Sequence, residues 1–180
     1  MPLITAPFPT ATAAPPDARL HAKGIALRPA TDADIPFLLT LYAASRADEL
    51  AHVPWTDASK AAFVASQFAL QHRHFTTPGV ATDLWIVEID SRAAGRLYAN
   101  REPPVWRLVE IALGPSVRGR GFGSTLLAWL KRTARLAGAT GIDLHVLVTN
   151  PRAAALYARH GFVAAAGGSE THRRMIWAVS

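Results

Sequence analysis

Apolar positions recur every two residues in some segments of this chain and every three or four in others, and the switches of period mark out its elements. GIALRPA (24–30) reads as a short strand. In TDADIPFLLTLYAASRADEL (31–50), Ile35, Leu38, Leu39 and Tyr42 fall on one helical face, with Thr31 as cap and Asp34 three residues on. A second helix is predicted after VPW, capped by Thr56 and carrying Val64, Phe68 and Phe75 on one side. TDLWIVEID, AGRLYANRE and VWRLVEIAL then read as strands of an antiparallel meander, broken at Asp90-Ser91 and at Pro103-Pro104.

The period returns to helical from about Gly121 to Leu136, burying Phe122, Leu126, Leu127 and Leu130 and stopping at Gly138. GIDLHVLVT is almost continuously apolar, as a strand covered on both faces would be. NPRAAALYARHG is bounded as a helix by Asn150 at the cap, Pro151 at the first position and Gly161 past the end. FVAAA and THRRMIWAV are the closing strands. The order β-α-α-β-β-β-α-β-α-β-β predicts a single α+β domain over 23–180, with a mixed, mostly antiparallel central sheet and flanking helices. Residues 1–22, rich in Pro and Ala, are expected as an extended, poorly ordered tail.

Composition narrows the function. At 180 residues, with 50% hydrophobic and 18% charged side chains, the chain has the balance of one globular domain. The absence of cysteine excludes disulfides, thiolate metal sites and cysteine nucleophiles. A net charge of +6 suits an anionic ligand, or serves solubility alone. No apolar run approaches the ~18 residues of a membrane span. The proline-broken start does not read as a secretory signal, so no membrane association and a cytoplasmic location are expected. No metal site is expected: His72 and His74 of QHRHF point to different sides of a helix, and His145 and His160 are read as structural or exposed.

The segment EIALGPSVRGRGFGSTLLAWL (110–130) carries the candidate chemistry, because glycine-rich strand-to-helix turns hold phosphate. A nucleoside-triphosphate loop fails, since Arg120 and Gly121 stand where lysine and a hydroxyl are needed. A dinucleotide fingerprint is nearer, with Gly119, Gly121, Ser124 and an acid, Asp143. That acid begins a strand instead of ending one, and the loop lies in mid-fold. The third pattern, [QR]-x-x-G-x-[GA], is met by Arg118, Gly121 and Gly123. Backbone N–H groups of such a turn can cradle a diphosphate, with Arg118 and Arg120 adding charge.

With TNPRAAALYARHGFV one strand downstream, this third pattern resembles the GNAT superfamily of acyl-CoA-dependent N-acetyltransferases, and the similarity runs from about Gly24 to Trp177. The resemblance implies acetyl-CoA as cosubstrate and no metal. It places the diphosphate on Arg118, Gly119, Arg120, Gly121, Phe122, Gly123 and Ser124. The pantetheine arm would meet Asn150 and pair with Ile111, Ala112 and Leu113 between splayed central strands. Tyr157 would face the thioester sulfur as acid to the departing thiolate, and N–H groups of Ile111–Leu113 would meet the oxyanion. Asn150 also reads as a helix cap and Tyr157 as a core tyrosine.

An alkylamine acceptor must lose a proton, and Glu110 is the candidate base, directly or through water. Period two puts it on the face of Leu108 and Ala112, a setting that makes a carboxylate a better proton acceptor if that face is core and not solvent. The segment between the first two helices would lie over the acceptor, so Asp48, Glu49 and Trp55 are candidate substrate contacts, with Tyr98 beside the splay. The expected partner is a small-molecule or protein amine, with no specific nucleic acid, since THRRMIW reads as a closing strand and no recognition motif is present. A non-catalytic acyl-CoA sensor of the same fold is the alternative, and oligomeric state, homodimer included, stays open.

Overall fold

A computed structural model describes residues 7–9, 14, 17–77 and 81–179. In chain order its elements are α1 (Ala18–His21), β1 (Ile25–Pro29), α2 (Ile35–Ala51), α3 (Asp57–Thr76), β2 (Thr82–Ile89), β3 (Arg92–Asn100), β4 (Val105–Leu113), α4 (Phe122–Leu136), β5 (Gly141–Leu147), α5 (Pro151–Arg159), β6 (Val163–Ala164) and β7 (His172–Ala178). The strands form one sheet in the order β1-β2-β3-β4-β5-β7-β6. Among the described residues only the β4–β5 pair is parallel. The α+β class and the mixed, mostly antiparallel sheet are as the residue periods predict.

Local signals place the helices. Asp34 accepts from the Thr31 N–H at 2.8 Å in the short 3₁₀ turn that opens α2, and the Thr56 hydroxyl accepts from Ser59 N–H at 3.2 Å at the start of α3. Asn150 caps α5 by accepting from Ala153 N–H at 3.0 Å. Alternate strand residues then feed two cores. Leu84, Ile86 and Tyr98 pack with Leu38, Leu41 and Phe68 of α2 and α3. Trp85, Val87 and Leu97, on the opposite face, pack with Leu126, Leu127, Trp129 and Leu130 of α4 and with Tyr157 of α5.

Two expectations change. Part of the supposed tail packs on the domain: α1 follows a cap at Asp17, Leu20 is 4% exposed in the second core, and Asp17 pairs with Arg132 of α4. One turn, all that α1 provides, is too short to show a helix period. Residues 1–6, 10–13, 15 and 16 lie outside the described residues. The second change is in β4, where Tyr98 faces Glu110 and Ala99 faces Leu108, leaving Val109 as a bulge. The bulge breaks period two, so Glu110 shares a face with Ala112 but not with Leu108.

The same strand opens the sheet. β4 pairs with β5 from Val105–Leu108 against Gly141–Leu144, and no register partners follow. Residues 110–113 and 145–147 continue along β3 and β7 instead, so the two central strands splay. This gap, with α4 and α5 starting beside it, is where the candidate residues collect.

Candidate active site

The loop leaving β4 is built for close backbone approach at a helix start. Gly114 N–H bonds Ala94 C=O at 2.8 Å, and Val117 is buried, which anchors a 3₁₀ turn at Pro115–Val117. Gly119 and Gly121 then take φ of +76° and +84°, a region that disfavours side chains. Gly121 stands immediately before α4 with no side-chain cap, so the first-turn N–H groups through Ser124 have no intrahelical acceptor. A Cβ built on Gly121 meets no atom within 4 Å, so the helix start opens outward.

Cations ring this helix start. Arg118 and Arg120 are exposed, the latter 5.2 Å over the Phe122 ring. The Arg152 guanidinium reaches within 3.7 Å of where a Gly119 Cβ would stand, and Lys23 donates to the Thr125 hydroxyl at 3.1 Å. Free N–H groups, a helix dipole and four positive side chains fit a diphosphate. Sequence reading missed Arg152 and Lys23. Arg152 stood in view two residues past the α5 cap, whereas nothing local marks Lys23. Arg118 Nε donates to the Leu113 carbonyl at 2.7 Å and so ties the loop to the strand end.

Ile111, Ala112 and Leu113 are half-buried on the splayed stretch of β4. Glu110 precedes them, and its Oε1 accepts from Arg96 Nη2 at 2.7 Å. The same nitrogen donates to Gln71 Oε1 at 2.7 Å. Glu110 Oε2 is buried and has no hydrogen-bond partner among the described residues. The apolar setting expected for Glu110 is therefore an ion pair, because the Val109 bulge turns it toward β3. Arg96 and Gln71 were also missed. The sign of Arg96 was a charge midway along an apolar strand, at the in-facing position two before Tyr98.

Tyr157 lies across the splay on α5, 8% exposed, with its ring 5.9 Å from Phe162. Burial pushes its phenol up to about 12, and the Glu110 charge adds to the shift. Asn150 is engaged as the α5 cap.

Of the expected substrate contacts, Tyr98 lies beside Glu110 as its register partner on β3. Tyr98 is 1% exposed and packs on Phe75, and burial pushes its phenol up to about 12. Asp48 is exposed on α2, and Glu49 bonds Arg46 on the same helix at 2.8 Å. Trp55 is 47% exposed and rests on Phe63. Asp143 is buried in β5 between Arg107 and Arg174, so the acid a dinucleotide fingerprint would need is committed to structure. His72 is buried and His74 exposed, and no group of metal-binding side chains occurs among the described residues. No helix among them is long and apolar enough to cross a membrane.

A family model described as Acetyltransferase (GNAT) family matches residues 44–162. The chain belongs to the GNAT acetyltransferase family. Solved structures share the fold at low identity. PaiA N-acetyltransferase of Thermoplasma acidophilum, in complex with coenzyme A, is 15% identical at TM-score 0.66, over 86% of this chain and 99% of that one. An acetyltransferase of Thermus thermophilus is 18% identical at TM-score 0.66, over 86% of this chain and 97% of that one. Spermidine N-acetyltransferase of Vibrio cholerae, in complex with CoA and spermine, is 22% identical at TM-score 0.59, over 86% and 95%. No curated protein matches the chain.

Within this GNAT domain two cavities flank the signature segments. One of about 410 Å³ lies between the β2–β3 turn and the glycine loop, touching Arg92, Val117 and Arg120. The other, about 290 Å³, lies under α5 against Val146, Leu147 and Met175. Neither is lined by Glu110 or Tyr157.

Proposed function

We propose that the protein moves an acetyl group from acetyl-CoA to a primary amine by direct attack. The split between β4 and β5, with Glu110 on β4 and the buried Tyr157 on the helix that follows β5, carries this reading. Gly119–Ser124, with Arg118, Arg120, Arg152 and Lys23 around them, would hold the diphosphate. Ile111–Leu113 and Asn150 would meet the pantetheine arm. When bound, acetyl-CoA supplies a thioester whose acetyl carbon forms the new C–N bond as the C–S bond breaks.

The chain's own groups move the protons. Glu110 Oε2, the oxygen that Arg96 does not occupy, accepts from the amine and passes its proton on, directly or through water. Tyr157 keeps its phenolic proton through neutral pH and donates it to the departing thiolate. Backbone N–H groups of Ile111–Leu113 would stabilise the oxyanion. The net reaction consumes a protonated amine and acetyl-CoA and yields amide, coenzyme A as its thiol and one proton.

A panel of amines, followed by thiol release, tests the reading. It includes polyamines, because the Vibrio cholerae structure holds spermine, together with amino acids and peptide amines. Turnover on at least one class is expected. Tight acetyl-CoA binding by calorimetry with no turnover on any amine would favour an acyl-CoA sensor instead.

A further inference from the structure

Arg96 is an expensive residue for its position. Its side chain is 3% exposed in the middle of β3, between the Phe75 and Tyr98 rings at 5.7 and 5.2 Å. A desolvated cation costs several kcal/mol, of the order its pairing returns, and apolar residues of similar volume often serve stability as well or better. A buried ion pair at the edge of a reaction site is thus poorly explained by stability alone.

The geometry of the pair suggests what it does. Arg96 Nη2 spends one N–H on Gln71 Oε1 and the other on Glu110 Oε1, both at 2.7 Å. Gln71, from α3, fixes the guanidinium from above the sheet, and the β4 bulge delivers Glu110 to it from the neighbouring strand. The contact takes one carboxylate oxygen only. Oε2 stays buried without a partner, and so does Arg96 Nε. A bidentate pair would have engaged both oxygens and left neither free of the guanidinium.

Resting on the acetyltransferase reading, we propose that Arg96, braced by Gln71, is a positioning residue that holds Glu110 by Oε1 and so keeps Oε2 unpaired to take the proton of the acceptor amine, directly or through water. Arg96 touches no reacting atom. Its effect passes through Glu110, and that is what distinguishes it from a merely structural arginine.

A double-mutant cycle reads this directly. Arg96→Met is expected to lower kcat about 10-fold or more in the wild-type background, with acetyl-CoA affinity by calorimetry within about twofold. In a Glu110→Gln background the same substitution is expected to change kcat less than about twofold. Arg96→Lys is expected to recover part of the loss, since an ammonium can still donate to Oε1. If Arg96→Met keeps wild-type kcat, or its losses multiply with those of Glu110→Gln, the proposal falls. Should Arg96→Met not fold, Gln71→Met is the second variant, leaving both charges in place. A drop of about threefold or more in kcat at an unchanged melting temperature supports positioning, and wild-type kcat overturns it. Failure of the underlying reading looks different: the wild-type chain would then release no thiol with any amine, and this proposal would fall with it.

Discussion

Tyr157 and Glu110 sit on opposite sides of the split between β4 and β5, and the Glu110 carboxylate adds to the burial that pushes the Tyr157 phenol up to about 12. The consequence is a tyrosine that stays protonated at any ordinary assay pH. Tyr157→Phe is expected to lower kcat about 10²-fold with acetyl-CoA affinity unchanged. The wild-type enzyme should show no loss of kcat from phenol ionisation up to about pH 10, the ordinary tyrosine value. The linked effect on stability has the same sign. A folded value above the unfolded one contributes fully below about pH 10 and is lost as pH rises toward 12. A wild-type rate in the phenylalanine variant would return Tyr157 to a packing role.

Gly121 tests the diphosphate site. Its φ of +84° costs a substituted side chain about 1 kcal/mol, and Asn and Asp tolerate that region better than most. A Cβ at Gly121 meets nothing within 4 Å, so neither residue is crowded at its branch point. Gly121→Asn and Gly121→Asp therefore carry equal backbone strain and differ in charge. The aspartate variant is expected to lose acetyl-CoA affinity by at least about tenfold relative to the asparagine variant, because its carboxylate would face the diphosphate. Calorimetry on both, with matched thermal melts, decides it. Equal affinities would remove the loop assignment.

How legible this site was depended on whether its signal was local. The caps at Thr31, Thr56 and Asn150 and the glycines before α4 were readable, because capping and positive φ are chosen by residues within one turn. Glu110 was singled out, but its face was read wrongly. Period two has no means of announcing a bulge at Val109, which depends on how β3 and β4 register. Arg96 and Gln71 are 25 residues apart in sequence and meet only through α3 crossing β3. Lys23 reaches Thr125 across 102 residues and leaves no local trace.

Leu20 measures how far the domain extends toward the N-terminus. It is 4% exposed in the core shared with α4, though α1 is one turn long and reads as tail in the sequence. Leu20→Ala is expected to cost about 2–5 kcal/mol, the usual range for a buried leucine. Chemical denaturation measures it. A cost near zero would show that α1 detaches from the domain without consequence for its stability.

Asp143 gives the acid side of the stability profile. Burial alone would push its carboxyl up, but hydrogen bonds and charge from Arg107 and Arg174 outweigh it and hold the carboxyl below the usual range. A lowered folded value contributes stability that is present above the unfolded value, near 3.8, and is lost as pH falls through the folded one. Asp143→Asn keeps the shape and removes the charge. Both arginines retain some solvent access, so the cost should be near that of charged hydrogen bonds, about 1.5–3 kcal/mol at neutral pH. The difference between wild type and variant should narrow below about pH 4, where the unfolded wild-type carboxyl takes its proton while the folded one still resists it. A gap that stays constant from neutral pH down to about pH 2 would show that Asp143 contributes through packing and not through charge.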